Sequence, residues 1–309
     1  MDTTGEPIDL GLAWNWEFDK DFIAGVEAAC QRLGLTTYRI EPYNLSESLR
    51  LMRAGKLAFR TFLDRASDGE ELFQPLERFL SRSNTHLFNP YEAIDHAKDK
   101  ATMHLELMTA GINVPYTIII SPYSKKKEIE LSLSELAHLG RPFIIKPANT
   151  TGGGIGVILG AESLKEVIET RQHHKGDKYL LQETVVPATL NSTEAWFRVF
   201  YAFGETLLCW WNTTTHEYRI VTAGEEYLFG LRRLHEIAMT IHTVCGLDFF
   251  STEIALTRDG KFVTVDYVNE ICDMRAQSQH IDGVPDEFIA VIQDRCARAV
   301  KHHTAPRDA

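Results

Sequence analysis

The chain has 309 residues, enough for about two domains, and its 44% apolar and 24% charged composition is that of a packed globular protein, not a disordered one. Lys and Arg number 32 against 43 Asp and Glu, a formal charge of −11. This excludes a general nucleic-acid or membrane-surface binder and leaves room only for a local basic pocket. No apolar run approaches the ~20 residues of a membrane span. The opening Met1-Asp2-Thr3-Thr4-Gly5-Glu6-Pro7 lacks a basic-then-apolar signal pattern. The cysteines, Cys30, Cys209, Cys245, Cys272 and Cys296, are odd in number and have no C-x-x-C spacing, which predicts reduced thiols in a cytoplasmic protein.

The first 90 residues read as strands alternating with helices. Ile8–Ala13 is a short apolar strand. Asp19 is placed to cap a helix with Phe22, Val26, Ala29 and Leu33 on one face, and Gly34 stops it. Thr36–Ile40, Leu57–Leu63 and His86–Asn89 read as strands, with helices at Ser46–Ala54 and Glu70–Ser81 between them. That alternation implies a parallel, layered α/β sheet. Glu92–Ala110 reads as one helix with Ile94, Ala97, Ala101, Leu105 and Met108 on its buried face and Gly111 as its stop.

Tyr116–Ile120 and Phe143–Lys146 are strands, and Lys125–Lys127 between them reads as a solvated loop. A Gly-rich turn, Thr150–Gly156, leads to the strand Val157–Leu159; Ser163 caps a helix to about Thr170, and Tyr179–Val186 is a strand. Trp196–Phe203 and Thr206–Trp211 form a hairpin around Gly204-Glu205. Leu228–Cys245 reads as one long helix. Phe249–Thr257 and Lys261–Val268 pair through the turn Arg258-Asp259-Gly260, and Pro285–Lys301 is a closing amphipathic helix.

Three features can carry chemistry. Glycines 152, 153, 154 and 156 follow Lys146 closely; without Cβ atoms such a turn lets N–H groups approach phosphate oxygens, and a nearby lysine adds a point charge. It is neither a Walker A loop nor a dinucleotide fingerprint, since there is no G-K-[ST] and the turn joins strand to strand. The same residues also fit a plain hairpin tip. Glu253 and Asp266 sit on successive strands, and their numbers centre a hairpin at 259–260, where the turn is read from residue types. With Asn269 they form a hard-oxygen set suited to Mg²⁺, unless they are ordinary strand carboxylates. Gln182-Glu183, followed by Val185-Val186, is either a strand end or a linker offering backbone groups to a base.

The order of these features resembles the ATP-grasp superfamily over about residues 90–285. Asp99-Lys100-Ala101-Thr102 with Ala110-Gly111-Ile112-Asn113-Val114-Pro115-Tyr116-Thr117 looks like that family's entry segment. Arg141-Pro142-Phe143-Ile144-Ile145-Lys146-Pro147 looks like its lysine strand, Tyr179-Leu180-Leu181-Gln182-Glu183 like its adenine linker, and Trp196-Phe197-Arg198-Val199-Phe200 like its arginine strand. Within the superfamily the sequence is most similar to the ribosomal-protein glutamate ligase-like and D-alanine ligase-like carboxylate–amine ligases.

The resemblance implies an α/β (α+β) ATP-grasp fold with an N-terminal parallel α/β pre-ATP-grasp domain. Its implied boundaries are 1–91 for that domain, 92–187 for the small lid subdomain and 188–309 for the C-terminal subdomain with the metal site. It implies ATP and Mg²⁺ as cofactors and amide-bond formation through an acyl phosphate. The substrates would be a small-molecule or peptide carboxylate and an amine, with no nucleic-acid or membrane partner and with homo-oligomerisation open. Lys100 (with Lys98 as its competitor) and Lys146 would contact phosphates, Gly152, Gly153 and Gly154 would cover them, and Gln182, Glu183, Val185 and Val186 would surround the adenine. Glu194 would reach the ribose, Glu253, Asp266 and Asn269 would hold Mg²⁺, and Arg198 would stabilise the transferring phosphoryl group. Arg275 would bind a substrate carboxylate, and Cys272 is a bystander.

The sequence departs from the family's E-x-N metal segment: it reads Asp266-Tyr267-Val268-Asn269-Glu270, one methylene shorter and one residue longer. Either a bulge restores the geometry or Glu270 shares the metal. Trp14-Asn15-Trp16-Glu17 either lines a substrate pocket or belongs to the core. A small-molecule kinase and an ATP-binding regulator without turnover are the alternatives on the same fold.

Overall fold

A computed structural model describes residues 6–67, 71–150 and 156–305. The expected parallel sheet is present. Strands β1 (Ile8–Trp14), β2 (Thr37–Ile40), β3 (Phe59–Arg65) and β4 (His86–Phe88) lie in the order β2-β1-β3-β4, all parallel. Helices α1 (Lys20–Arg32), α2 (Leu45–Arg53) and α3 (Gln74–Leu80) connect them. Leu45, Leu49, Phe62 and Leu76 build one core of this unit. Phe22, Val26 and Cys30 of α1 belong to another, shared with Phe200, Phe249, Ile292 and Val300 from the last third of the chain.

Asp19 departs from its expected role. It precedes α1 but makes no capping hydrogen bond; its carboxylate turns inward to Arg65 instead. A buried guanidinium is a stronger partner than solvated helix N–H groups.

The expected helix over 92–110 is two helices, α4 (Tyr91–Lys98) and α5 (Lys100–Thr109). Asp99 separates them with a non-helical ψ of 88° and accepts from the N–H groups of Ala101 and Thr102 as the N-cap of α5. The break resets the helical phase. Met103, His104 and Leu107 are buried, whereas Leu105 and Met108, expected on the inner face, are 57% and 54% exposed.

Strands β5 (Thr117–Ile120), β6 (Phe143–Pro147), β7 (Ile158–Ala161) and β8 (Tyr179–Glu183) form an antiparallel sheet ordered β5-β8-β6-β7. Two helices cover it. One, α6 (Leu133–Leu139), was not foreseen although Ser132 and Glu135 form a capping box; the other, α7 (Leu164–Thr170), starts at the expected Ser163, with Glu166 completing the same device. The strand at 179 ends at Glu183, three residues before the expected Val186. Lys125–Lys127 is an exposed loop, as expected.

A two-stranded ribbon, β9 (Thr189–Leu190) with β10 (Thr193–Glu194), precedes the main antiparallel sheet. That sheet runs β13-β12-β11-β14-β15, from β11 (Trp196–Ala202), β12 (Glu205–Trp211), β13 (Tyr218–Ile220), β14 (Phe249–Leu256) and β15 (Phe262–Asn269). The expected helix over 228–245 is also two: α8 (Ala223–Phe229) ends on Gly230, whose φ of +65° is the left-handed cap position glycine takes at no steric cost, and α9 (Arg232–Cys245) follows. Helix α10 (Asp286–Thr304) closes the chain against α1.

Candidate active site

Five charged side chains, each from a different element, meet over the β11, β14 and β15 strands of the main antiparallel sheet. Arg198 on β11 lies directly opposite Glu253 on β14, and Glu253 lies opposite Asp266 on β15. The Arg198 guanidinium is ion-paired with Glu253 and donates through Nε to Ser251 Oγ at 3.1 Å. Trp196 Nε1 donates to the same glutamate at 3.3 Å. Lys100, first residue of α5, donates to Asp266 Oδ1 at 2.7 Å. Its placement follows from the Asp99 cap, which starts the helix there; Asp99 is itself held by Lys178 at 2.8 Å.

Lys146 enters from β6. It is 7% exposed, and its ammonium donates to the Val265 carbonyl at 3.2 Å and lies 5.5 Å from the centre of the Tyr267 ring. Burial, then the neighbouring Lys100, push its pKa down to about 8. Burial also opposes the charge on Lys100, but Asp266 and the nearby Glu270 and Glu253 more than offset it and raise that pKa. Burial would raise the Asp266 carboxyl; Lys100 and Lys146 outweigh it and bring it down to about 2. Burial disfavours the charge on Arg198 too, and Glu253 reverses this. The set holds three cations and two carboxylates.

The irregular spacing of the metal segment has a structural answer. Between the pairs Glu253–Asp266 and Ser251–Asn269, three residue steps on β15 face two on β14, and a second offset lies between Glu253 and Ile254. These are β-bulges. In a regular strand, residues three apart point to opposite faces. The bulge brings Asn269 beside Asp266, with its Nδ2 3.4 Å from Asp266 Oδ2. Among the described residues no group of three or more His, Cys, Asp and Glu side chains could hold a metal. The oxygen-bearing groups gathered here are the two carboxylates and the Asn269 amide. Such a set fits Mg²⁺, which takes one or two protein carboxylates and completes its shell with water and phosphate oxygens.

A polar network backs the site, and sequence reading did not anticipate it. Tyr267 Oη lies 2.7 Å from His104 Nδ1 and accepts from Gln182 Nε2 at 3.0 Å. Burial, then Lys146, push the His104 imidazole down to about 4. The ring is therefore neutral, and the donor in its hydrogen bond with the tyrosine hydroxyl depends on the imidazole tautomer. The signal was present in the four-residue step from Lys100 to His104 along α5, which stacks both side chains over β15.

Gln182 is fully buried with both Nε2 bonds made, to Tyr267 and to Thr117 Oγ1, while its Oε1 has no partner among the described residues. Glu183 closes onto the Tyr116 N–H through its carboxylate at 2.7 Å. Val185 is half-buried and Val186 is exposed, between the end of β8 and the Pro187–Thr257 bridge. Glu194 is exposed on the β9–β10 ribbon. Arg275 is held by Asp273 and Asp282 and lies 5.9 Å from the Phe18 ring, at a cleft of about 170 Å³ lined also by Lys20, Asp21 and His280. Trp16 is 43% exposed and packs edge-on against Phe18. Among the described residues no hydrogen bond or ion pair joins Arg275 or Glu194 to the five-residue set. Gly152, Gly153 and Gly154 lie outside the described residues. Cys272 is buried and its thiol is pushed up to about 11 by burial, which makes it a poor nucleophile.

No protein-family model and no curated protein sequence matches the chain. Solved structures do. An ATP-grasp RimK-domain protein from Sphaerobacter thermophilus is 19% identical, over 94% of this chain and 98% of that one, with a TM-score of 0.63. D-alanine–D-alanine ligase from Bacillus anthracis, complexed with ATP, is 13% identical over 95% and 96%, also at 0.63. The macrocyclase MdnC from Microcystis aeruginosa, bound with the precursor peptide MdnA, is 12% identical over 95% and 99%, again at 0.63. The chain has the ATP-grasp fold, with an N-terminal parallel α/β unit.

Proposed function

We propose that the chain is an ATP- and Mg²⁺-dependent carboxylate–amine ligase that forms an amide bond through an acyl phosphate. The observation that carries the reading is the excess of buried positive charge: Lys100, Lys146 and Arg198 against Glu253 and Asp266. A lysine whose charge is disfavoured by burial and by a second lysine is stabilised by an arriving polyanion. Lys100 and Lys146 bind phosphate oxygens, and Arg198 faces the charge that spreads over the transferring phosphoryl group. Glu253, Asp266 and Asn269 would hold Mg²⁺, which supplies further neutralisation of that charge when bound. The β8 linker at Gln182–Val186 receives the base, and Glu194 is the candidate for the ribose. The cover by Gly152, Gly153 and Gly154 rests on the sequence alone.

Arg275, already matched by two aspartates, would bind a substrate carboxylate only by exchanging one of them. The peptide bound by MdnC supports a peptide as one substrate. Among the described residues no helix is long and apolar enough to cross a membrane. Five buried free thiols suit a reducing, cytoplasmic setting.

Release of ADP and phosphate, screened against amino acids and dipeptides, tests the proposal. A ligase releases both only when acid and amine are present together; a kinase releases ADP without phosphate, and a regulator releases neither. Lys146→Ala is expected to weaken ATP binding by about 1.5–3 kcal/mol, the range for a charged hydrogen bond. Unchanged affinity in a calorimetric titration of the folded variant would remove Lys146 from the phosphates.

A further inference from the structure

The exit of β15 is held from outside its own sheet. Immediately after Asn269, two carbonyls accept hydrogen bonds from the N-terminal parallel unit. Asn89 Nδ2 donates to Glu270 O at 3.1 Å and to Phe249 O at 2.5 Å, while its Oδ1 accepts from Phe249 N at 2.9 Å. The side chain thus acts as an extra peptide group between the start of β14 and the end of β15. Asn89 is buried and sits at a φ of +61°, a region that asparagine enters more readily than most residues. Arg65, the last residue of β3, donates from Nη2 to Cys272 O at 2.7 Å. The same guanidinium is forked onto Asp19 at 3.0 and 2.7 Å, and neither side chain is more than 3% exposed. Ile271 lies between the two grips, and Cys272 Sγ turns back to within 3.5 Å of Asn269 O.

We propose that Arg65 and Asn89 are positioning residues for the metal ligand Asn269. The proposal rests on the reading of Asp266 and Asn269 as Mg²⁺ ligands. Its physical basis is the bulge. One extra residue on β15 brings Asn269 beside Asp266, and a one-residue slip of a strand turns every side chain beyond it to the other face. From β14 the Thr252 hydroxyl donates to Asp266 O at 2.9 Å and holds the strand ahead of the bulge. Fixing the carbonyls of Glu270 and Cys272 to a separate sheet holds it beyond the bulge. Neither Arg65 nor Asn89 touches the cationic set, so their loss should fall on metal-dependent binding and spare the nucleotide's contacts with Lys100 and Lys146.

The test is calorimetric titration of the full-length protein with the non-hydrolysable nucleotide AMPPNP, with saturating Mg²⁺ and with EDTA. The quantity read is the ratio of the two affinities. In Asn89→Ala, and in the milder Arg65→Lys, which keeps a cation beside Asp19, that ratio should fall by about 10- to 100-fold, the usual cost of losing the groups that orient metal ligands. The EDTA affinity should stay near wild type. Asp266→Asn serves as the reference and should lose the Mg²⁺ enhancement. If Asp266→Asn loses it while Arg65→Lys and a natively folded Asn89→Ala keep it, the positioning role is overturned. Should the wild type show no Mg²⁺ enhancement, the metal reading itself fails, and the positioning proposal falls with it. A fall in the EDTA affinity as large as that with Mg²⁺ would mark a general structural role and overturn the proposal too.

Discussion

Two buried arginine–carboxylate pairs, one at the end of β3 and one within the β11–β14 pairing, make an instructive contrast. Arg65–Asp19 is closed: one cation faces one anion through two hydrogen bonds, a third goes to a carbonyl, and both side chains are at most 3% exposed. Arg198–Glu253 is open: its side chains are 11% and 18% exposed, and its neighbours Lys100, Lys146 and Asp266 leave one positive charge in excess. A fold can place the same chemical pair in two settings and use it differently. Charge balance marks the pair that holds the structure together, and on the proposed function imbalance marks the pair that meets a ligand.

Breaking the closed pair should cost the most stability. Asp19→Ala leaves the Arg65 guanidinium buried without its anion, a change expected to destabilise by about 3–5 kcal/mol in urea unfolding. A loss below ~1 kcal/mol would show that the pair is not the closed unit described here. On the open side, Asp266→Asn should leave the protein folded but lower Mg²⁺-dependent ADP release at least about 100-fold, or ~2.7 kcal/mol in barrier. If Glu270→Gln carries that defect instead, the bulge has delivered the wrong carboxylate.

The smallest effect concerns pH. His104 in the folded protein is pushed down to about 4 from an ordinary value of 6.5, so between these values the unfolded chain binds more protons than the folded one. Stability from the neutral ring is complete above pH 6.5 and is lost as pH falls toward 4, in total by about 2–3 kcal/mol. His104→Gln should flatten that part of the stability profile, and an unchanged slope would place the ring in a more hydrated setting.

Local signals carried much of this structure. The turn at Arg258-Asp259-Gly260 and the numbers of Glu253 and Asp266 agree on one hairpin, and the two residues are register partners. Lys146 reads from its strand, and Ser163 from its place as a helix cap. The reading failed where periodicity was extended across a cap. Ile94, Ala97 and Ala101 share one phase, and the same count continued to Leu105 and Met108 misses that Asp99 restarts the helix. Gly230 does the same between α8 and α9. The contacts of Arg65 and Asn89 left no trace in the sequence, because each meets a carbonyl, which every residue type carries, 207 and 181 positions away.

The packing of α1 on α10 bears on how the protein is made. Phe22, Val26, Ala29 and Cys30 are covered in part by Phe288, Ile292, Cys296 and Val300. The first group leaves the ribosome more than 250 residues before the second. At about 5–20 residues per second, an apolar helix face stays uncovered for tens of seconds on each nascent chain. The N-terminal unit therefore reaches its final form only once α10 has emerged. A ribosome stalled before residue 286 should present α1 as a hydrophobic surface open to holdase chaperones, and one stalled with α10 clear of the exit tunnel should not.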